Sequence, residues 1–202
     1  MHSARGSARF RRNDRQGPLS QFESPPWSRL MNRYASSFVA VTLAAAAPIQ
    51  AEIVASSEDY YVLRHEGTTA LSPAALWDRL IAPESWWHPD HTYSGDAGNL
   101  ELELRAGGLW SENWDGGSVA HGQVLAVIPG QSLRLEAPFG PLQGVGAYTI
   151  WKITLEAVEG GTLVVFDESS IGPATADMAE LAKAVDYVKT EAMRRLTASD
   201  EN

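Results

Sequence analysis

Pro83-Glu84-Ser85-Trp86-Trp87-His88-Pro89 stands between a short helix and a run of strands, and the text on either side of it decides the fold. Upstream, Ser72-Pro73 is a helix start. The Ser72 hydroxyl offers an N-cap, and a proline at the first helical position gives up only an N–H that would have had no partner. Leu76, Trp77, Leu80 and Ile81 then share one helical face. Pro83 stops that helix and opens one further turn over residues 84–87. Before the helix, residues 60–71 read as a first strand, with aromatic and β-branched residues early and Thr68-Thr69 late.

Downstream the period changes from helical to alternating. Leu100, Leu102 and Leu104 alternate with Glu101, Glu103 and Arg105, the pattern of a sheet with one wet face. Gly107-Gly108 turns the chain into a strand over 109–114, and Asp115-Gly116-Gly117 makes the next turn. Residues 122–128 precede Pro129-Gly130. Leu133 and Leu135 alternate with Arg134 and Glu136, and Trp151, Ile153 and Leu155 alternate with Lys152, Thr154 and Glu156 along a long strand over 146–158. Gly160-Gly161 turns it into a last strand, 162–171. A helix of about five turns follows over residues 177–196. Asp177 and Glu180 form a capping-box-like start. Met178, Leu181, Val185, Val188 and Ala192 make one apolar stripe, and Lys189, Arg194 and Arg195 sit toward the C-terminus, where cations complement the helix dipole. The stripe needs a partner, and the inner face of the sheet is the one available. The order is α+β.

The Ser-Pro start, the Trp-Trp-x-Pro run, Arg105-Ala106-Gly107-Gly108 and Gly160-Gly161-Thr162, in this sequence of elements, resemble the SRPBCC (START / Bet v 1-like) superfamily. Within it they resemble the heat-shock protein 90 ATPase activator-like and polyketide cyclase-like branch. The resemblance covers residues 58–196. It implies a helix-grip fold: a curved antiparallel sheet of six to seven strands wrapped around a long C-terminal helix, with two short helices after the first strand and a cavity between sheet and helix. It also implies that Trp86, Trp87 and Pro89 lead structurally from the short helix into the sheet.

At 202 residues the chain has room for one globular domain and tails. Its charge is unevenly placed. Residues 1–51 carry seven Arg against Asp14 and Glu23, and residues 52–202 carry the acids that bring the chain to −9. An acidic domain repels phosphate backbones and anionic lipid, so neither nucleic acid nor a membrane surface is an expected partner. The absence of cysteine rules out disulfides, a thiol nucleophile and Cys-containing zinc sites. Residues 1–30 are Arg-, Ser- and Pro-rich without apolar periodicity, which predicts disorder or an upstream segment ahead of the true start. From Met31 the text takes the form of a secretory signal peptide over 31–51. It has a basic head at Met31-Asn32-Arg33-Tyr34, an apolar run over 38–47 and a small residue, Ala51, before the cleavage point. That run is too short for a stable anchor. The expectation is a periplasmic or secreted domain, with residues 197–202 as a disordered tail. An Arg-rich organelle transit peptide is the rival reading of the same segment.

Candidate site residues come chiefly from tryptophan. Trp110, Glu112 and Trp114 share one strand face by period two, and an inward face would put two indoles and a carboxylate on a cavity floor, although a bulge near Gly107-Gly108 would change the parity. Trp86, Trp87 and Trp151, with Met178, Leu181 and Val185 of the last helix, complete the candidate walls for a small hydrophobic or aromatic ligand. Against this stands simple core filling by the same indoles. His88, Asp90, His91 and Asp96 cluster in one loop but match no zinc signature, so no metal is expected, and nothing in the sequence calls for a cofactor. His65 and His121 titrate near neutrality and have no partner visible in the sequence. Asp167 and Glu168 are adjacent on the last strand and so face opposite ways, and the inward one would lie under the helix with a raised pKa. Phosphate-binding loops, the nucleophile elbow and the His-Glu-x-x-His motif are absent. Three readings remain: an exported small-molecule binder, a cyclase- or dehydratase-type enzyme moving protons with Glu112, Asp167 or a histidine in the same cavity, and a co-chaperone-like activator of a heat-shock ATPase.

Overall fold

The computed structural model describes residues 49–199. The expected signal peptide, apart from its last three residues, lies outside them. Among the described residues eight strands form one antiparallel sheet: β1 (Gln50–Ser56), β2 (Tyr60–Thr69), β3 (Leu100–Leu102), β4 (Leu109–Trp114), β5 (Gly117–Ile128), β6 (Ser132–Glu136), β7 (Tyr148–Val158) and β8 (Gly161–Ile171). Their spatial order is β1-β2-β8-β7-β6-β5-β4-β3, so every neighbour is a sequence neighbour except where β2 meets β8. The helices are α1 (Pro73–Leu80), α2 (Pro141–Gly144) and α3 (Met178–Thr197). Short 3₁₀ turns at Pro83–Ser85, Pro89–His91 and Ala97–Asn99 carry the chain from α1 to β3. This is the curved sheet and long terminal helix of the helix-grip fold, with more strands than expected.

The local reasons match the sequence at most elements. The Ser72 hydroxyl accepts from Ala75 N at the start of α1, and Leu76, Trp77 and Leu80 are its buried face. Asp177 caps α3 by accepting from Glu180 N at 3.3 Å, from a left-handed backbone at φ 50°. Asp and Asn tolerate that region better than other side chains. Glu180 does not complete a capping box, because its carboxylate pairs with Lys183.

Three differences matter. β1 precedes the strand expected to come first, pairing with β2 from Gln50↔Glu66 to Ser56↔Tyr61. The alternation at residues 100–105 stays in the sheet only through Leu102, because Gly107 N–H and Gly108 carbonyl bond to Val124 and turn the chain away. The bulge lies opposite Trp110 and Ser111, in β5: Trp110 pairs with Gly122 and Ser111 with Ala120, leaving His121 as the extra residue.

The main core gathers Trp86, Trp87, Trp110, Trp151 and Phe166 with Leu76, Leu80, Leu133, Leu135, Ile153, Met193 and Leu196. Its rings meet edge to face: Trp86–Trp110 at 5.9 Å, Trp87–Trp110 at 5.6 Å and Trp151–Phe166 at 5.0 Å. Such pairs contribute about 0.5–1.5 kcal/mol each beyond their burial. A smaller cluster holds Tyr61, Leu63, Leu142, Ala147, Met178 and Ala182. Among the described residues no helix is long and apolar enough to cross a membrane.

Candidate functional site

Period two on β8 sends Asp167 and Glu168 to opposite faces, and the inward one is Glu168. Asp167 is half-exposed and takes Arg64 Nη1 at 2.6 Å, so it does not belong to the interior. Glu168 is 3% exposed and accepts from the Tyr61 hydroxyl on β2 at 2.7 Å through Oε1. Burial, then the Glu168 charge, pushes the Tyr61 pKa upward, so the phenol stays protonated and donating.

The other Glu168 oxygen meets Lys189 of α3. Oε2 and Nζ are 2.9 Å apart, yet off hydrogen-bond alignment, so both keep unused hydrogen-bonding capacity. Lys189 is 2% exposed. It sits on the buried line of α3, one turn or two from Ala182, Met193 and Leu196. Its ammonium stands 3.0 Å from the centre of the Trp151 ring and 4.9 Å from that of Phe139. Desolvation lowers its pKa to about 8, against the opposing pull of Glu168. The position expected to complement the helix dipole is instead a charge in the core.

A second buried pair comes from the bulge. As the unpaired residue of β5, His121 turns inward and places Nε2 2.9 Å from Glu112 Oε2 on β4. Glu112 also accepts from Tyr93 N at 2.9 Å and Ser94 N at 2.5 Å, which anchors the loop between the Trp-Trp turn and β3. Burial opposes ionisation of Glu112, but the donors at Ser94 and Tyr93 and the His121 contact outweigh it and hold its pKa below the usual value. With Glu112 ionised, Nε2 must donate, so the His121 proton rests there and Nδ1 carries the lone pair. Desolvation lowers the His121 pKa. His65, the other histidine without a visible partner, bonds Asp186 of α3 at 2.9 Å, and burial lowers its pKa too.

Between α3, the loop at residues 87–93 and the segment 137–142 lies a cavity of about 290 Å³. Trp87, Trp110, Leu100, Phe139, Val185 and Val188 supply its apolar walls, and Glu168, Lys189 and His121 are polar groups among its lining. Exposed Tyr93 stands at its rim. Lys189 and His121 both stand beside Phe139, with Nζ 4.9 Å and the His121 ring 5.5 Å from the centre of its ring.

The candidate residues divide accordingly. Trp87, Trp110 and Val185 line the cavity. Glu112 stands behind His121 rather than at the surface of the void. Trp86 and Trp151 are buried in the core behind the wall, and Trp86 Nε1 donates to Leu80 O at 3.2 Å. Trp114 is half-buried at the far end of β4, pairing with Gly117. Met178 and Leu181 pack in the smaller cluster, on the turns of α3 before the cavity. Lys189 and Phe139 were not among the expected site residues, and the pairing of His121 with Glu112, both candidates singly, had no signal in the sequence. The spacing of Ala182, Lys189 and Leu196 by seven was the signal that could have placed Lys189 on the buried line.

Among solved structures, a conserved protein of unknown function from Enterococcus faecalis matches with a TM-score of 0.51 and 15% identity, over 77% of this chain and 80% of that one. A protein from Rhodobacter sphaeroides gives 0.48 and 22%, over 73% and 96%. The solution structure of the Aha1 dimer from Colwellia psychrerythraea gives 0.48 and 19%, over 69% and 98%. At these identities the likeness concerns the fold alone. No curated protein matches the chain. A family model described as activator of Hsp90 ATPase homolog 1-like protein matches residues 70–198, and with more than half its length inside that match the chain belongs to this family.

Proposed function

We propose that the protein binds a small hydrophobic or aromatic molecule in the cavity between α3 and the sheet. The observation that carries this reading is a void of about 290 Å³ walled by Trp87, Trp110, Phe139, Val185 and Val188, with a few polar groups gathered around it. An apolar hollow with sparse, fixed polar groups is what small-molecule recognition needs, and this volume lies at the lower end for such sites. The rings of the core pack against one another and still leave this space open to one or two rings of a guest. Native mass spectrometry of the protein purified from its own host is the test. A retained small molecule of one or two rings is the expected result. A clean protein that also fails to take up aromatic probes overturns the reading.

A second reading, acid–base catalysis in the same cavity, is favoured by the His121–Glu112 pair. Glu112 orients the imidazole and leaves Nδ1 as a base beside the ligand space, the arrangement general-base chemistry uses. Glu112→Gln abolishes turnover under this reading and spares binding under the first. Stimulation of an Hsp90 ATPase rests on the family's name, and fold does not imply function. An unchanged ATPase rate on adding the protein removes it.

The proposal includes export. The basic head and apolar run of residues 31–47 support it, and cleavage after Ala51 would take two residues from β1 while leaving the remainder of that strand on β2. N-terminal sequencing of the native protein, beginning at Glu52 or not, decides this.

A further inference from the structure

Lys189 and Glu168 are 2% and 3% exposed, line the cavity, and each retains a polar atom with no hydrogen bond. A buried donor or acceptor left without a partner costs more than an ordinary hydrogen bond contributes, so such atoms normally find one. Several other polar groups nearby are already committed, while Trp151 Nε1, behind the wall, and His121 Nδ1 are not. Glu168 Oε1 is taken by Tyr61, Trp87 Nε1 by His91 O, and both Glu112 oxygens by Tyr93, Ser94 and His121. The cavity therefore offers one cationic donor and one anionic acceptor side by side, 2.9 Å apart.

We infer that the ligand is an uncharged aromatic hydroxyl compound of the phenol class. Its hydroxyl accepts from Lys189 Nζ and donates to Glu168 Oε2, and its ring lies among Trp87, Trp110 and Phe139. This rests on the cavity being the ligand site and names the class of guest it takes. Charge decides between head groups. The ion pair is already neutral, so a carboxylate would bring a second negative charge beside Glu168 into a dry interior, at a desolvation cost that Lys189 alone does not offset. A plain hydrocarbon would leave Nζ and Oε2 with only each other, their remaining hydrogen-bonding capacity unused. A hydroxyl both accepts and donates at one atom, and does so more strongly than a thiol. Its hydrogen bonds here are made to charged partners, the stronger kind. The cavity volume limits the body to one or two rings.

Calorimetric titration of the full chain with 2-naphthol, 2-naphthoate and naphthalene at pH 7 tests this. The expected order places 2-naphthol about ten-fold or more above naphthalene, with 2-naphthoate weakest. The double variant Lys189→Met with Glu168→Gln, which removes both charges together, should keep naphthalene binding and lose the preference for 2-naphthol. Equal binding of naphthol and naphthalene by the unaltered protein overturns the inference but leaves the cavity as a binding site. The same holds if 2-naphthoate binds most tightly. A preference that survives in the folded double variant also overturns it. If none of the three binds, the proposed function falls together with the inference. The comparison on the unaltered protein stands even if the double variant does not fold.

Discussion

Lys189 is the residue at which stability and function are most closely joined. Its ammonium is held in the core by one carboxylate and the faces of Trp151 and Phe139. Cutting one partner from a buried pair leaves the other charge stranded. Lys189→Met alone should therefore cost about 3–5 kcal/mol in urea denaturation. The double variant with Glu168→Gln should recover most of that, since Tyr61 can still donate to the amide carbonyl that takes the place of the acid. The pH dependence follows from the same burial. The folded state releases the Lys189 proton at about 8, whereas the unfolded chain keeps it until near 10.5. Between these values the unfolded state binds more protons, so stability should rise with pH from about 8. Below pH 8 both states are charged and this contribution is flat. Above 10.0 the rise should be countered, because the unfolded chain ionises the tyrosine that the fold keeps protonated. Thermal melts across this range should show the slope in the unaltered protein and a flattened one in the double variant.

At the scale of elements, the β5 bulge and α3 build the site between them. The bulge turns His121 inward to Glu112, and the residue beside it must be glycine. A Cβ at Gly122 would come 2.6 Å from the Glu136 carbonyl oxygen on β6. Gly122→Ala should cost about 1–3 kcal/mol through that overlap, and it should displace the His121 resonances seen by NMR. Glu112 ties β4 to the loop at Tyr93 and Ser94 through two backbone donors. Glu112→Gln weakens those charge-assisted bonds, and amide exchange at Tyr93 and Ser94 should quicken while the strands stay protected. The alternation of Leu133, Leu135, Trp151, Ile153 and Leu155 was legible because period two reports directly which side of a sheet is dry. The bulge was not legible, because an extra residue changes no local preference until a partner strand is in place. The buried line of α3 shares Met178 and Ala192 with the expected stripe and also takes in Lys189, which was not legible for the same kind of reason: a lysine looks polar in sequence whether or not a carboxylate waits opposite it.

At the scale of the whole molecule, the sheet grips α3 without closing on it. Filling the remaining space is the direct test of what it is for. Val188→Trp should leave the fold intact by circular dichroism and weaken 2-naphthol binding by about ten-fold or more, equivalent to about 1.4 kcal/mol. An unchanged affinity would place the guest elsewhere. Composition, periodicity and turn chemistry were enough to establish the class of fold, the long terminal helix and the aromatic weight of the interior, because those depend on neighbours a few residues apart. The polar arrangement of the cavity depends on the folded chain. Tyr61 and Glu168 are 107 positions apart, and Glu168 meets Lys189 across the gap between sheet and helix. Which of Asp167 and Glu168 turns inward, which indoles reach the void and which carboxylate His65 and His121 each meet were set by register and helix rotation. A charge is bearable in the core only where a distant segment brings its counter-charge, and that meeting exists only after the chain has folded.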